Sequence, residues 1–211
     1  MPEQLQVKNL HFKCISVEPL HQGWQQWLIA PETDFSFNPK DRLSIDDQAV
    51  YLLWQNKQQQ LLCVLPSATI QKIHDKEFTL TYQQNPNQLE KMTTEQFHAQ
   101  HHLMICHGYA IFSAIHQIYR WKNLGWDLNR VVVVSEALDQ WPILLKPSKL
   151  IAYFIPNGAI GSIDLLDDWK ILARFCSEDD LPGCFSGSLA EFEQEILAST
   201  LSWHWNVIGY R

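Results

Sequence analysis

The spacing of hydrophobic positions changes character along this chain. Up to about residue 82 they fall in short runs, at 10–16, 24–30, 42–45, 49–54, 61–65 and 78–82, with turn-forming residues between them. Each run is strand-like, and evenly spaced short strands predict a small antiparallel barrel or sandwich. A polar stretch with one proline, Gln-Gln-Asn-Pro-Asn-Gln at 83–88, reads as a linker.

Beyond it, strand-like and helix-like periods alternate. Residues 103–106 form an apolar run, and 110–121 place Ile111, Ala114, Ile115 and Ile118 on one helical face. Val131 to Val134 is an unbroken β-branched run, as in a parallel strand buried on both faces. Further strands are expected at 150–155, 171–176 and 203–208, with a short helix at 162–169. A second helix spans 188–198, where Ser188 followed by Glu191 makes a capping box. Alternating strands and helices predict an α/β domain with a parallel sheet. The expected division is a reduced β-barrel at 1–85 and a nucleotide-binding-like α/β domain at 86–211.

Composition narrows the function classes. The 211 residues are 46% apolar and 18% charged, enough for real cores. A net charge of −7 with no basic stripe argues against nucleic acid as a partner. The longest apolar run, 103–115, is broken by His107 and shorter than the roughly 20 residues that span a bilayer. No membrane association is expected, and the first residues, Met-Pro-Glu-Gln, do not read as a signal peptide. Five scattered cysteines (Cys14, Cys63, Cys106, Cys176, Cys184) form no C-x-x-C pair, so reduced thiols in a cytoplasmic protein are expected.

The strand at 103–106 runs through His107-Gly108-Tyr109 into a helix. That is where a nucleotide-binding fold meets phosphate, because helix-start N–H groups point at the anion. Such turns carry several glycines; this one carries Gly108 alone, between His107 and Tyr109.

Several tracts resemble the ferredoxin reductase superfamily. Phe35-Ser36-Phe37-Asn38-Pro39-Lys40-Asp41 is similar to the F-x-F-x-P-G-Q turn of flavin reductases, and 103–112 to their L-I-A-G-G-T-G-I loop. Ala173-Arg174-Phe175-Cys176-Ser177-Glu178 and Leu181-Pro182-Gly183-Cys184-Phe185-Ser186-Gly187 resemble a passage of dihydroorotate dehydrogenase electron-transfer subunits. The resemblance implies a barrel that holds FAD or FMN and an α/β domain that holds NAD(P).

Set against that pattern, three elements differ. Where the family has R-x-Y/F-S/T for the flavin, this chain has Ala49-Val50-Tyr51-Leu52, leaving Tyr51 to stack on a ring. The G-G-T-G loop has become His107-Gly108-Tyr109-Ala110, and the late C-G-P turn Gly209-Tyr210-Arg211. An arginine fork is hard to replace at a phosphate. The expectation drawn is a non-catalytic relative acting as a binding or regulatory module, with no cofactor and no catalytic residue. The cofactor-facing positions are Tyr51, His107, Gly108 and Tyr109. The alternative is a working flavin-dependent NAD(P)H reductase or electron-transfer subunit; a small-ligand binding protein is a third reading.

Other clusters carry less. His98, His101, His102 and His107 lie close together, yet helix and strand periods separate them, so a polar loop is favoured over a metal site. Cys106 and His107, adjacent on a strand, point to opposite faces and cannot pair. Asp164, Asp167 and Asp168 read as solvated helix charge. Leu201, Trp203, Trp205 and Val207 alternate with polar residues near the end, predicting an apolar strand face. The relatives' closing helix has no counterpart after it, so this strand is expected to dock a protein partner or a second copy.

Overall fold

The computed structural model describes residues 7–35, 37–39, 41–45, 47–56, 58–67, 77–83, 92–139 and 141–210. The linker tract beyond Gln83, Ser36 and Lys40 of the resemblance tract, and Arg211 lie outside them. The chain divides into two compact units, Met1–Glu90 with Ile115–Arg120, and Lys91–Ala114 with Trp121–Arg211.

The first unit is built on six strands: β1 (Val7–Pro19), β2 (Trp24–Pro31), β3 (Arg42–Ile45), β4 (Gln48–Gln55), β5 (Leu61–Pro66) and β6 (Glu77–Gln83). They close into an antiparallel barrel in the order β1-β2-β5-β4-β3-β6. Closure removes the sheet edges that would otherwise expose unpaired backbone. β1 overruns its expected bounds because it serves two neighbours, β6 through Val7–Lys13 and β2 through Phe12–Pro19, with a bulge between Cys14 and Ser16. Phe12, Trp27, Ile29, Leu43, Leu61, Leu65 and Leu80 fill the interior. Burying each such side chain contributes about 1.5–3 kcal/mol. Alternation fails on β5, where Leu62 and Val64, pointing away from that interior, are also buried.

The second unit begins with α1 (Thr94–Ala99), a helix the hydrophobic spacing did not flag. It is set by a capping box in which the Thr93 hydroxyl accepts from the Gln96 N–H and the Gln96 side chain accepts from the Thr93 N–H. β7 (His101–Cys106), α2 (Ile111–Asn123), β8 (Val131–Glu136), β9 (Lys146–Pro147), β10 (Gly161–Ser162), α3 (Asp164–Asp168), β11 (Leu172–Ser177), β12 (Phe185–Ser186), α4 (Leu189–Ser199) and β13 (Trp205–Tyr210) follow. Five strands pair in parallel in the order β12-β11-β8-β7-β13, while β9 and β10 form a separate two-stranded pair. Leu189, Phe192 and Ile196 of α4 pack on Leu103, Ile105, Val132 and Val134, covering one sheet face. The capping box at Ser188 is present as expected.

Three expectations need correction. The strand expected at 150–155 is a loop: Ile151 and Tyr153 are 85% and 101% exposed, and two carbonyl-accepting turns replace a ladder. Asp167 is not solvated but buried, accepting from the Ser148 hydroxyl at 2.9 Å and the Lys149 N–H at 2.7 Å. Its neighbour across the fold is Arg174, also buried, which donates to the carbonyls of Ala173 and Leu150. The final strand starts at Trp205, leaving Leu201 and Trp203 in the preceding turn, and its buried face carries Ile208 and Tyr210 instead.

Candidate cofactor sites

Strand order fixes where a ligand can meet the second unit. The chain moves from β7 through β8 and β11 to β12 on one side, then returns to place β13 on the other side of β7. The order reverses between β7 and β13. In open α/β sheets, ligands bind beyond the carboxyl ends of the strands at such a reversal. The residues there are His107 to Ala110 after β7, Leu138 after β8, and Tyr210, which pairs with Cys106 at the end of β13.

This turn is tightly built. The His107 N–H donates to the Tyr210 carbonyl at 3.1 Å, and the Ala110 N–H returns to the His107 carbonyl at 3.0 Å. The three residues Gly108–Ala110 form a 3-10 turn leading into α2. Gly108 is needed on two grounds. Its φ is +50°, in the left-handed region, and a β-carbon there would stand 3.0 Å from Leu138 Cδ1. In the sequence Gly108 stands between His107 and Tyr109, but neither side chain is the one packed against it. His107 is exposed, Tyr109 half-buried, and the side chain against Gly108 is Leu138, which the local motif could not reveal. Burial raises the Tyr109 phenol above its ordinary value. Cys106 is fully buried, which pushes its thiol well up, so it and exposed His107 form no nucleophilic pair.

In the first unit, Tyr51 lies on β4 between Val50, which faces the barrel interior, and partly buried Leu52. It is half-buried, opposite Val64, with its ring 6.0 Å from the Trp24 ring. A register shift between Leu52 and Trp54 re-aims the strand just after it. Missing from the sequence reading was Arg42. Leu43 pairs with Val50, and Arg42 is the next residue along β3, so its position neighbours that of Tyr51 on the same outward face. Arg42 is exposed. The signal was a cross-strand register, which a search along β4 alone cannot see.

The remaining histidines divide among elements: His98 on α1, His101 and His102 on β7. Among the described residues, no group of three or more histidine, cysteine, aspartate or glutamate side chains is placed to hold a metal. All five cysteines are free thiols, with Cys63, Cys106 and Cys176 buried.

No family model matches the chain, and neither does any curated protein. Solved structures do. The chain is similar to a cytochrome P450 reductase from Amycolatopsis at 10% identity and a TM-score of 0.55, over 98% of this chain and 62% of that one. It spans about three-fifths of the length of that relative. It is similar to ferredoxin-NADP+ reductase from Plasmodium falciparum at 9% identity and a TM-score of 0.59, covering 95% of this chain and 87% of the other. A third match is the flavohem-like FAD/NAD binding domain of nitric oxide dioxygenase from Vibrio cholerae O1 biovar El Tor, with 7% identity, a TM-score of 0.58, and 95% and 98% covered. The chain has the ferredoxin reductase-like fold, an antiparallel barrel followed by a parallel-sheet α/β unit.

These matches correct one expectation outright. Absence of a cofactor was read from the missing arginine and glycines, but the matched structures are named as FAD/NAD binding and NADP+ reductase proteins, pointing to flavin and nicotinamide. Residues 49–52 belong to one strand, and a barrel presents several strands to one ligand.

Proposed function

We propose that this chain is a flavin-dependent NAD(P)H reductase or electron-transfer component. The observation that carries the reading is topological. A closed six-stranded barrel precedes a parallel sheet whose order reverses at β7, matching reductase structures over 95% or more of the chain. That match also weighs against the binding-module reading, which has only altered motifs in its favour.

In this reading the barrel carries the flavin. Tyr51 stacks on the ring system, and Arg42 supplies the permanent charge and planar donors that a phosphate needs. The residues present fit such a group: an aromatic ring and an exposed guanidinium at adjacent positions of one outward face. In the second unit, the dinucleotide meets the turn at His107, Gly108 and Tyr109, whose sharp path into α2 depends on left-handed Gly108 packed against Leu138. A bound flavin supplies hydride acceptance and stepwise electron release; the protein binds, orients and shields.

A protein partner, as electron acceptor or second copy, is assigned to β13. It is supported by the position of β13 at the end of the sheet order and by Val207, which is 46% exposed. Trp205 is partly packed on the cluster beneath α4, so only part of the expected apolar face remains available. Among the described residues, no helix is long and apolar enough to cross a membrane.

The test is titration of FAD and of FMN into purified protein, followed by flavin fluorescence. Saturable binding that weakens in Arg42→Ala and Tyr51→Ala supports the reading. Absence of binding of either flavin overturns it.

A further inference from the structure

The histidine cluster of α1 and β7 is not placed to hold a metal among the described residues, and the reductase reading gives it no role. Its geometry is nonetheless specific. His102 is fully buried. Its Nε2 lies 2.9 Å from the Phe97 carbonyl of α1, and its Nδ1 lies 3.2 Å from the Asn206 side-chain nitrogen of β13. The ring rests on the Phe97 ring, centroids 4.4 Å apart and nearly parallel at 13°.

One protonation state satisfies both contacts. A neutral imidazole donates from Nε2–H to the carbonyl and accepts at Nδ1 from the amide. Adding a proton turns Nδ1 into a donor facing a donor. Among the described residues, the charged groups acting on the ring are positive and add to the new charge rather than offset it. α1 contributes His98, β7 contributes His101, and the turn before β8 contributes Arg130, each of which disfavours a positive charge on the ring. α2 and the turn after it contribute the rings of Trp121 and Trp126 around Phe97, and β13 contributes neutral Asn206. The acid of α1, Glu95, is exposed and interacts with His98. Burial, reinforced by these cations, holds the His102 imidazole below its ordinary value despite the Phe97 hydrogen bond.

We propose that the junction of α1, β7 and β13 is an acid-sensitive latch: neutral His102 ties α1 and β13 to β7, and protonating the junction releases both. Each released element depends on such ties. α1 has six residues, too few to persist alone, and is anchored by buried Phe97. Among the described strands β13 pairs with β7 only, and His101 at the start of β7 donates its N–H to the His204 carbonyl while its ring stacks 4.3 Å from that of Trp203. The far end of β13 supplies the Tyr210 carbonyl that accepts from His107, so the latch reaches the turn at Gly108 through one strand.

The experiment is amide hydrogen exchange on the full chain at about pH 7.5 and about pH 5, either side of the ordinary histidine value near 6.5. Rates are corrected for intrinsic exchange, and wild type is compared with His102→Gln. Glutamine keeps a donor toward Phe97 and cannot titrate. In wild type, protection of α1 and β13 is expected to fall about tenfold more than that of β8 and β11 on acidification. In His102→Gln this selective loss disappears. Equal loss across the sheet in wild type, or the same selective loss in the variant, overturns the latch. If the variant does not fold, the wild-type His102 ring is titrated by NMR. A midpoint below those of exposed histidines supports the latch, and one at or above them overturns it.

Discussion

Leu138 Cδ1 lies 3.0 Å from the point a β-carbon on Gly108 would occupy, which binds the loop after β8 to the turn after β7. Gly108→Ala therefore meets both a left-handed φ of +50° and a steric conflict. The expected cost is about 1–2 kcal/mol of stability, read as a lowered denaturation midpoint. Under the reductase reading, use of NAD(P)H falls while flavin binding by the barrel stays. Equal loss of flavin and nicotinamide binding would show that the turn acts only through folding.

Arg42 and Tyr51 are predicted to act on flavin affinity separately from stability. Both are on the outward face, away from the barrel core. Arg42→Ala removes charge-assisted hydrogen bonds, expected to weaken binding by about 1.5–3 kcal/mol, or roughly 10- to 160-fold. Arg42→Lys restores the charge without the fork, and only partial recovery is expected. Calorimetric titration with FAD and FMN checks both, with an unchanged melting temperature as the control.

The two units were legible to different degrees. Barrel strands are short, punctuated and β-branched or aromatic, so their number and order along the chain could be read directly. The same held for Val131–Val134, whose unbroken run allows little but a buried strand. The segment 150–155 misled because its apolar residues look strand-like while Arg174 and Asp167, distant in sequence, hold its base in a loop through the Leu150 carbonyl and the Lys149 N–H. Arg42 and Leu138 were invisible for the same reason. One is brought beside Tyr51 by strand register and the other against Gly108 by a loop, and neither relation leaves a local motif.

The buried Asp167 and Arg174 should be strongly coupled to stability. Burial alone would raise the Asp167 carboxyl, but hydrogen bonds from the Lys149 N–H and the Ser148 hydroxyl, with Arg174 nearby, hold it below its ordinary value. Its stabilising contribution is present above the unfolded value near 3.9 and is lost as pH falls through the lower folded value. Asp167→Ala leaves the Ser148 hydroxyl and the Lys149 N–H without their acceptor and takes a negative charge away from buried Arg174, and a loss of about 3 kcal/mol is expected at neutral pH. Chemical denaturation of the variant checks this, and a loss below 1 kcal/mol, on the order of a surface change, would contradict it.

His116 on α2 is almost fully buried, and burial with Arg120 nearby lowers its imidazole to about 3. The unfolded chain takes up that proton near pH 6.5 and the folded chain does not. Stability is thus full above about 6.5 and declines as pH falls below it. Replacing His116 with Gln should flatten this decline, as measured by urea midpoints across the range.

Val207→Lys puts a charge on the exposed face of β13 without touching its buried face. If β13 carries the partner contact, light scattering should show loss of any self-association seen in the wild type, or the acceptor should bind less tightly, with flavin content unchanged. Retention of full association would move the contact elsewhere.

The central claim is that this fold carries electrons from NAD(P)H through a flavin. Its most direct test is the absorption spectrum of flavin-reconstituted protein under anaerobic conditions as NADH or NADPH is added. The account predicts that the yellow oxidised bands bleach at a rate dependent on nicotinamide concentration and slowed by Gly108→Ala. Protein that binds flavin but is not bleached by either nucleotide, or that binds no flavin, would contradict it.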